Sequence, residues 1–292
     1  MVMKEYISLK EAIADVCGPG RQIIDQRYVA GGDINEAHAL SLDDGTVLFM
    51  KSNALSALDN FKAEAQGLEA IRNTGAIGVP EILGVGTNAG ASFLLMEYIS
   101  GAPRVKNYWE VFAAELAAMH RSDVSTFFGF PNDNWIGSRK QINRKNDSWI
   151  AFYRDCRLQP QFEAAKTYFT ASDRRKIEYL LSHLDHFLIE PERPSLVHGD
   201  LWSGNKITGN DGKCWLIDPA VYYGHPEVDI AMTELFGGFD GRFYEAYKEA
   251  GGMEPGYADR RDLYNLYQLL NHLNIFGGGY YGAVMRAVAR YC

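Results

Sequence analysis

The 292-residue sequence has no Cys-x-x-Cys pair, no apolar run approaching the ~18 residues of a membrane span, and no surplus of basic charge. Each absence excludes a class of protein. The four cysteines, Cys17, Cys156, Cys214 and Cys292, lie far apart and offer neither a zinc site nor a redox dithiol. Lys and Arg number 29 against 37 Asp and Glu, a net charge of −8. That balance argues against a dedicated nucleic-acid binder, whose affinity comes from neutralising phosphates with basic side chains. The one local basic group, Arg139-Lys140 with Arg144-Lys145, reads as a solvated loop. The opening MVMKEYISLK lacks an apolar h-region, and the Asn146-Asp147-Ser148 sequon has no secretory context. The expectation is a cytoplasmic protein with reduced thiols that binds neither nucleic acid nor membrane. Repeats and low-complexity stretches are also missing.

What is present suits an ordinary globular chain, 47% hydrophobic and 23% charged. At about 150 residues per domain, its length allows one large or two smaller domains, with a core that needs no disulfide or metal. The first hundred residues read as strand-rich. Tyr28-Val29-Ala30 precedes a double glycine, and His38 to Leu42 and Thr46 to Lys51 flank an Asp43-Asp44-Gly45 turn, a strong hairpin signal. Ser56 to Asn73 places Leu58, Phe61, Ala65, Leu68 and Ile71 near helical spacing, with Gly75 just past the end. Glu81 to Val85 and Ser92 to Tyr98 are two more strands. After Ser100-Gly101-Ala102-Pro103 the pattern turns helical, at Tyr108 to Arg121 and near 148–169, 172–188, 240–250, 259–275 and 279–290. One hairpin, Lys206 to Thr208 with Cys214 to Ile217, interrupts it. The division expected is residues 1–99 and 100–292, a small sheet-rich lobe followed by a larger helical lobe carrying one hairpin.

Chemistry is densest in Leu196-Val197-His198-Gly199-Asp200-Leu201-Trp202-Ser203-Gly204-Asn205, continuing through the hairpin to Ile217-Asp218-Pro219. A short strand ends in His-Gly-Asp, an Asn lies five positions after the Asp, and a second strand ends in another Asp. Oxygen groups at strand ends can converge on a hard cation such as Mg²⁺. The remaining Asp can orient a hydroxyl and take its proton. Asp-x-x-x-x-Asn with a later strand-terminal Asp is the catalytic and metal arrangement of the protein-kinase template.

The stretch resembles the phosphotransferase motif of aminoglycoside phosphotransferases and choline kinases. The longer strings HGDLWSGN and DPAVYYGHPEVDIAMTELFGGF resemble the fructosamine (ketosamine) 3-kinase family in particular. The resemblance runs from about Gly31 to the C-terminus and is thin between 130 and 190. It implies an α+β, protein-kinase-like two-lobed fold with a small antiparallel-sheet N-lobe and a larger helical C-lobe. It further implies that Asp200 is the catalytic base, that Asn205 and Asp218 ligate Mg²⁺, and that His198 and Asp229 support the catalytic loop. Asp218-Pro219-Ala220 stands where protein kinases have Asp-Phe-Gly, so no activation loop of that type is implied.

ATP belongs in the first lobe. Lys51 ends an apolar strand and can hold the α/β-phosphates if a carboxylate on the following helix orients it. Glu64 matches the family's helix Glu, and Glu69 is the rival. Gly31-Gly32 lets backbone amides approach phosphate, although Asp33 and Glu36 add negative charge nearby. Many ketosamine kinases place Cys where Asp33 stands, so thiol regulation there is unsupported. Glu97 and Ile99 stand where kinases bind adenine through backbone groups. Trp202 is placed to lie against a sugar or to pack in the core, and His225 to contact a substrate hydroxyl or close the turn before Pro226. His120 reads as packing, and the aromatic tail (Tyr257, Tyr264, Tyr267, Phe276, Tyr280, Tyr281) as core and groove wall.

By resemblance, the reaction moves the γ-phosphoryl of ATP to the 3-hydroxyl of a ketosamine, small or protein-linked. The 3-phosphate is then eliminated and the amine is freed, a deglycation. An aminoglycoside, choline or aminosugar kinase and a non-catalytic nucleotide-binding scaffold are the rival expectations. Oligomeric state is not legible.

Overall fold

A computed structural model describes residues 4–29, 35–122 and 125–292. Their contacts form two compact units, residues 1–108 with 207–218, and residues 109–206 with 219–292. Against the linear division at 99/100, the first boundary falls at 108/109, and residues 207–218 group with the first unit.

The first unit is built on a six-stranded sheet. In chain order its elements are β1 (Glu5–Tyr6), α1 (Leu9–Cys17), β2 (Ile23–Tyr28), β3 (Glu36–Leu42), β4 (Val47–Ala54), α2 (Leu58–Asn73), β5 (Ile82–Asn88) and β6 (Ala91–Glu97), with strand order β1-β5-β6-β4-β3-β2. The Asp-Gly turn forms as its residues predict. Leu42 and Thr46 close the loop at 2.8 Å, and Gly45 has φ +87°, which an L side chain rarely adopts. Leu40 then faces Leu48, and His38 faces Met50. Leu40, Leu42, Leu48, Met50, Phe93 and Leu95 bury one face of the sheet with Leu9, Ala12 and Ile13 of α1. Ser8 caps that helix by accepting from Glu11 N. Phe61, Ala65, Leu68 and Ile71 of α2 are buried and pack on β5 and β6.

The sheet departs from the antiparallel one expected above. β1 runs parallel to β5, with Glu5 opposite Val85. Gly86 makes this possible, because a Cβ there would lie 2.2 Å from the Tyr6 carbonyl oxygen. The hairpin of β10 (Lys206–Thr208) and β11 (Cys214–Leu216) is tied to this unit through Leu216 N to Gly78 O (2.9 Å) and Val105 N to Gly212 O (3.1 Å).

The second unit is mainly helical: α3 (Tyr108–His120), α4 (Trp149–Phe152), α5 (Gln159–Ala164), α6 (Ala171–Ser182), α7 (Glu227–Leu235), α8 (Gly241–Glu249), α9 (Tyr257–Phe276) and α10 (Tyr281–Ala289). Two short ladders accompany them, β7 (Asn134–Ile136) with β8 (Arg139–Gln141), and β9 (Ser195–Val197) with β12 (Tyr222–Gly224). The helix expected near 148–169 is interrupted by a π-helical segment, Tyr153–Leu158. Arg157 lies there wholly buried, donating to Ile142 O, Cys156 O and Asn143 Oδ1 and standing 3.9 Å from the Tyr222 ring centre. The 20-residue α9 is the core of the unit, burying Leu263, Leu266, Leu270 and Leu273 against α5, α7 and α10. No helix among the described residues is long and apolar enough to cross a membrane.

Candidate active site

In the first unit, strand β4 carries Lys51 to a buried position, 8% exposed. Its ammonium donates to Glu64 Oε1 at 2.6 Å and also to the Asp218 carboxylate. Glu64, not Glu69, is therefore the α2 carboxylate that orients it. Burial alone would pull the Lys51 pKa down. The adjacent Glu64 and Asp218 charges outweigh it and hold the value above that of an ordinary lysine. A permanently charged ammonium beside two carboxylates suits the binding of phosphate oxygens. Asp218 takes φ +56°, a left-handed backbone at a residue that precedes proline and carries a Cβ. Strain of this kind is retained where a side chain must be aimed, here at Lys51.

In the second unit, β9 delivers His198-Gly199-Asp200. Gly199 has φ +82°, and a Cβ on it would lie 2.1 Å from Ala220 O, so only glycine fits between strand and loop. Asp229, at the start of α7 and fully buried, grips the loop with both oxygens. It accepts from His198 N at 2.7 Å and from Gly199 N at 2.8 Å. His120 Nε2 lies 3.0 Å from the same carboxylate, and its Nδ1 lies 2.7 Å from the Tyr247 hydroxyl. From α9, Gln268 Nε2 donates to Gly199 O at 2.9 Å. The loop peptide is thus held from two helices. His198 is itself buried, with Nδ1 3.3 Å from Asp200 N.

After Asp200 the chain makes a tight turn in which Trp202 N donates to Asp200 O and Asn205 N to Trp202 O. Asn205 is buried and turns its amide nitrogen to Asp200, 2.9 Å from the carbonyl and 3.0 Å from Oδ2. That fixes the Asp200 rotamer and leaves Asn205 to present oxygen, not nitrogen, elsewhere. An amide oxygen, as on Asn205, and a carboxylate, as on Asp218, are each hard donors of the kind Mg²⁺ takes. Trp202 packs one side of its indole on Gly204 and is 39% exposed.

Other expectations fare differently. His225 is 1% exposed and walled in by Trp149 and Tyr264, so it cannot contact a substrate hydroxyl. It closes the turn instead, its Nδ1 accepting from Glu227 N at 3.2 Å, and burial pushes its pKa down to about 3. His120 is buried as expected, but as a polar brace. Gly31, Gly32 and Asp33 lie outside the described residues. Glu97 N pairs with Glu81 O at the end of β6, and Ile99 is half-buried just beyond it. Tyr264 and Tyr267 belong to the core, whereas Phe276 is 58% exposed. Gln268, Tyr247 and the His120 contact escaped the sequence. The available signal was a polar residue inside an apolar helical run, as in Leu266-Tyr267-Gln268-Leu269-Leu270.

Solved structures bear on the fold. A macrolide 2′-phosphotransferase type I matches with a TM-score of 0.59 at 17% identity, covering 97% of this chain and 95% of that one, a likeness of fold alone. The fold is kinase-like. Within that class, the fructosamine kinase family model matches residues 5–292, and the chain belongs to that family. It is similar to a protein of Synechocystis sp. named a probable ketoamine kinase, 39% identical over 94% of this chain and 92% of that protein. A chloroplastic protein-ribulosamine 3-kinase of Oryza sativa subsp. indica is 38% identical over 94% of this chain and 80% of its own length. A crystal structure from Haemophilus somnus, assigned as a fructosamine-3-kinase, matches with a TM-score of 0.88 at 29% identity over 97% of this chain and 96% of that one. The chain is accordingly a kinase.

Proposed function

We propose that this kinase transfers the γ-phosphoryl of ATP to the 3-hydroxyl of a ketosamine, in the cytoplasm. One structural observation carries phosphoryl transfer, the buried Lys51 ammonium clamped by Glu64 and Asp218. Family membership supports the ketosamine. Lys51 holds the phosphates, with Glu64 fixing its position. Gly31 and Gly32 are assigned to the phosphates, and the backbone at Glu97 and Ile99 to adenine. Asp200 orients the acceptor hydroxyl and takes its proton. Asn205 and Asp218 supply oxygen ligands for Mg²⁺, which when bound offsets phosphate charge. Because the transition state is loose, these residues act mainly by positioning and charge neutralisation. A 3-phosphate so installed is a better leaving group than hydroxyl; its elimination as inorganic phosphate leaves an imine, and hydrolysis of that imine by water frees the amine and a dicarbonyl sugar.

ATP consumption measured with a panel of glycated amines, choline and kanamycin tests this reading. Turnover is expected with the glycated amines, and turnover confined to choline or kanamycin would overturn it.

Asp218→Ala is expected to weaken Mg²⁺-nucleotide affinity and rate together, with Asn205→Ala weaker in the same direction because a neutral amide is the poorer ligand. Titration finding unchanged Mg²⁺-nucleotide affinity in Asp218→Ala would contradict the metal role. Trp202→Ala should raise KM for a fructosamine far more than for ATP. The open indole face covering a sugar is worth ~1–2 kcal/mol, or roughly 5–30-fold in kcat/KM. Background ATP hydrolysis without acceptor is the control. Parallel loss of both activities would make Trp202 a loop brace.

A further inference from the structure

Every backbone polar group from His198 N to Gly199 O is taken. Asp229 accepts from His198 N and Gly199 N, and Gln268 donates to Gly199 O. The remaining group, His198 O, accepts from Ala220 N at 2.9 Å. Ala220 also abuts the loop through its carbonyl oxygen, 2.1 Å from where a Cβ on Gly199 would lie. The contact leaves no slack, so where Ala220 sits decides where the peptide before Asp200 sits.

The β7–β8 hairpin holds Ala220. Ala220 and Val221 precede β12 of the β9–β12 ladder, and side-chain amides take their carbonyls. Gln141 Nε2 donates to Ala220 O at 3.0 Å, and Asn134 Nδ2 to Val221 O at 2.8 Å. These two residues face each other across the hairpin, and Gln141 Nε2 also donates to Asn134 Oδ1 at 2.8 Å. Gln141 Oε1 accepts from the Tyr267 hydroxyl at 2.7 Å, so three partners fix the orientation of the amide. Asn134 Oδ1 accepts a second bond from Asn143, which is itself tied to Arg157 in the π-helical segment. Asn134, Gln141 and Asn143 are all buried. Apolar side chains would fill this space without a desolvation cost. Buried amides offset theirs only in the bonded geometry, and so specify it.

We propose that Gln141 is a positioning residue for phosphoryl transfer. Through Ala220 it fixes the His198-Gly199 peptides, and through them the direction of the Asp200 carboxylate. The proposal rests on the reading of Asp200 as the base. It also revises the basic run of the sequence, where Gln141 and Asn143 turn inward between the exposed Lys140 and Arg144.

A double-mutant cycle tests it. Gln141→Met, of similar length and without donors, should lower kcat with a fructosamine roughly 10- to 100-fold, the scale of a ~1 Å misplacement. KM for ATP should stay within about two-fold of the wild type. In an Asp200→Asn background the same change should cost less than about three-fold, because the group it aims is already gone. Gln141→Glu keeps the length and the Tyr267 bond with at most one donor, and should show a smaller loss of the same pattern. It carries the cycle if the Met variant fails to melt cooperatively. Equal losses in both backgrounds, or kcat within about two-fold of wild type in both single variants, would overturn the role of Gln141 and leave Asp200 as the base. An Asp200→Asn protein keeping more than about a tenth of wild-type activity would overturn the base, and the proposal with it.

Discussion

Asp200→Asn is expected to lower turnover about 10²–10⁴-fold while leaving ATP affinity within a few-fold, since a positioned general base is worth that much. An asparagine cannot take the acceptor's proton. It can still present an oxygen to the Asn205 amide nitrogen, now 3.0 Å from Asp200 Oδ2, so the turn through Trp202 should persist. Lys51 and Glu64, assigned to the phosphates, lie far away in sequence on β4 and α2. Steady-state rates with a fructosamine, beside a nucleotide-binding titration, check both halves. A variant retaining more than about a tenth of its activity would remove Asp200 from the role of base.

Asp229→Ala should be nearly as damaging, by a different route. The carboxylate accepts from two backbone N–H groups and faces His120, all buried. Deleting it leaves those donors unpaired, at ~1–3 kcal/mol each, or roughly 3–5 kcal/mol together. The thermal midpoint should fall by about 10 °C. The surviving folded fraction should also turn over slowly, because nothing then fixes the His198-Gly199-Asp200 backbone. Gln268→Ala, which removes only the bond to Gly199 O, serves as the milder comparison. An Asp229→Ala protein that melts and turns over like the wild type would refute the brace.

The sequence by itself was enough for features whose causes lie within a few residues of one another. The Asp-Gly hairpin, the apolar spacing of α2 and the strand–turn–strand through Asp200, Asn205 and Asp218 are of this kind. Turn chemistry and side-chain period are both written locally. Lys51 was legible as the only cation on its hairpin, and Glu64 as a carboxylate on the following helix.

Tertiary structure alone decided what depends on contacts between distant segments. The parallel edge strand β1 has two residues, too few for a pattern, and is accepted because Gly86 leaves room for it. His120 and Asp229 are 109 residues apart, and Gln268 and Gly199 are 69 apart. No local rule distinguishes a histidine that packs from one that holds a buried carboxylate. His225, read as contacting a substrate hydroxyl or closing a turn, is sealed behind Trp149 and Tyr264. Arg139 lay in what read as a solvated basic run, yet its Nε is buried. In each case local composition specifies which groups need partners, and only the packed chain decides which partners they find.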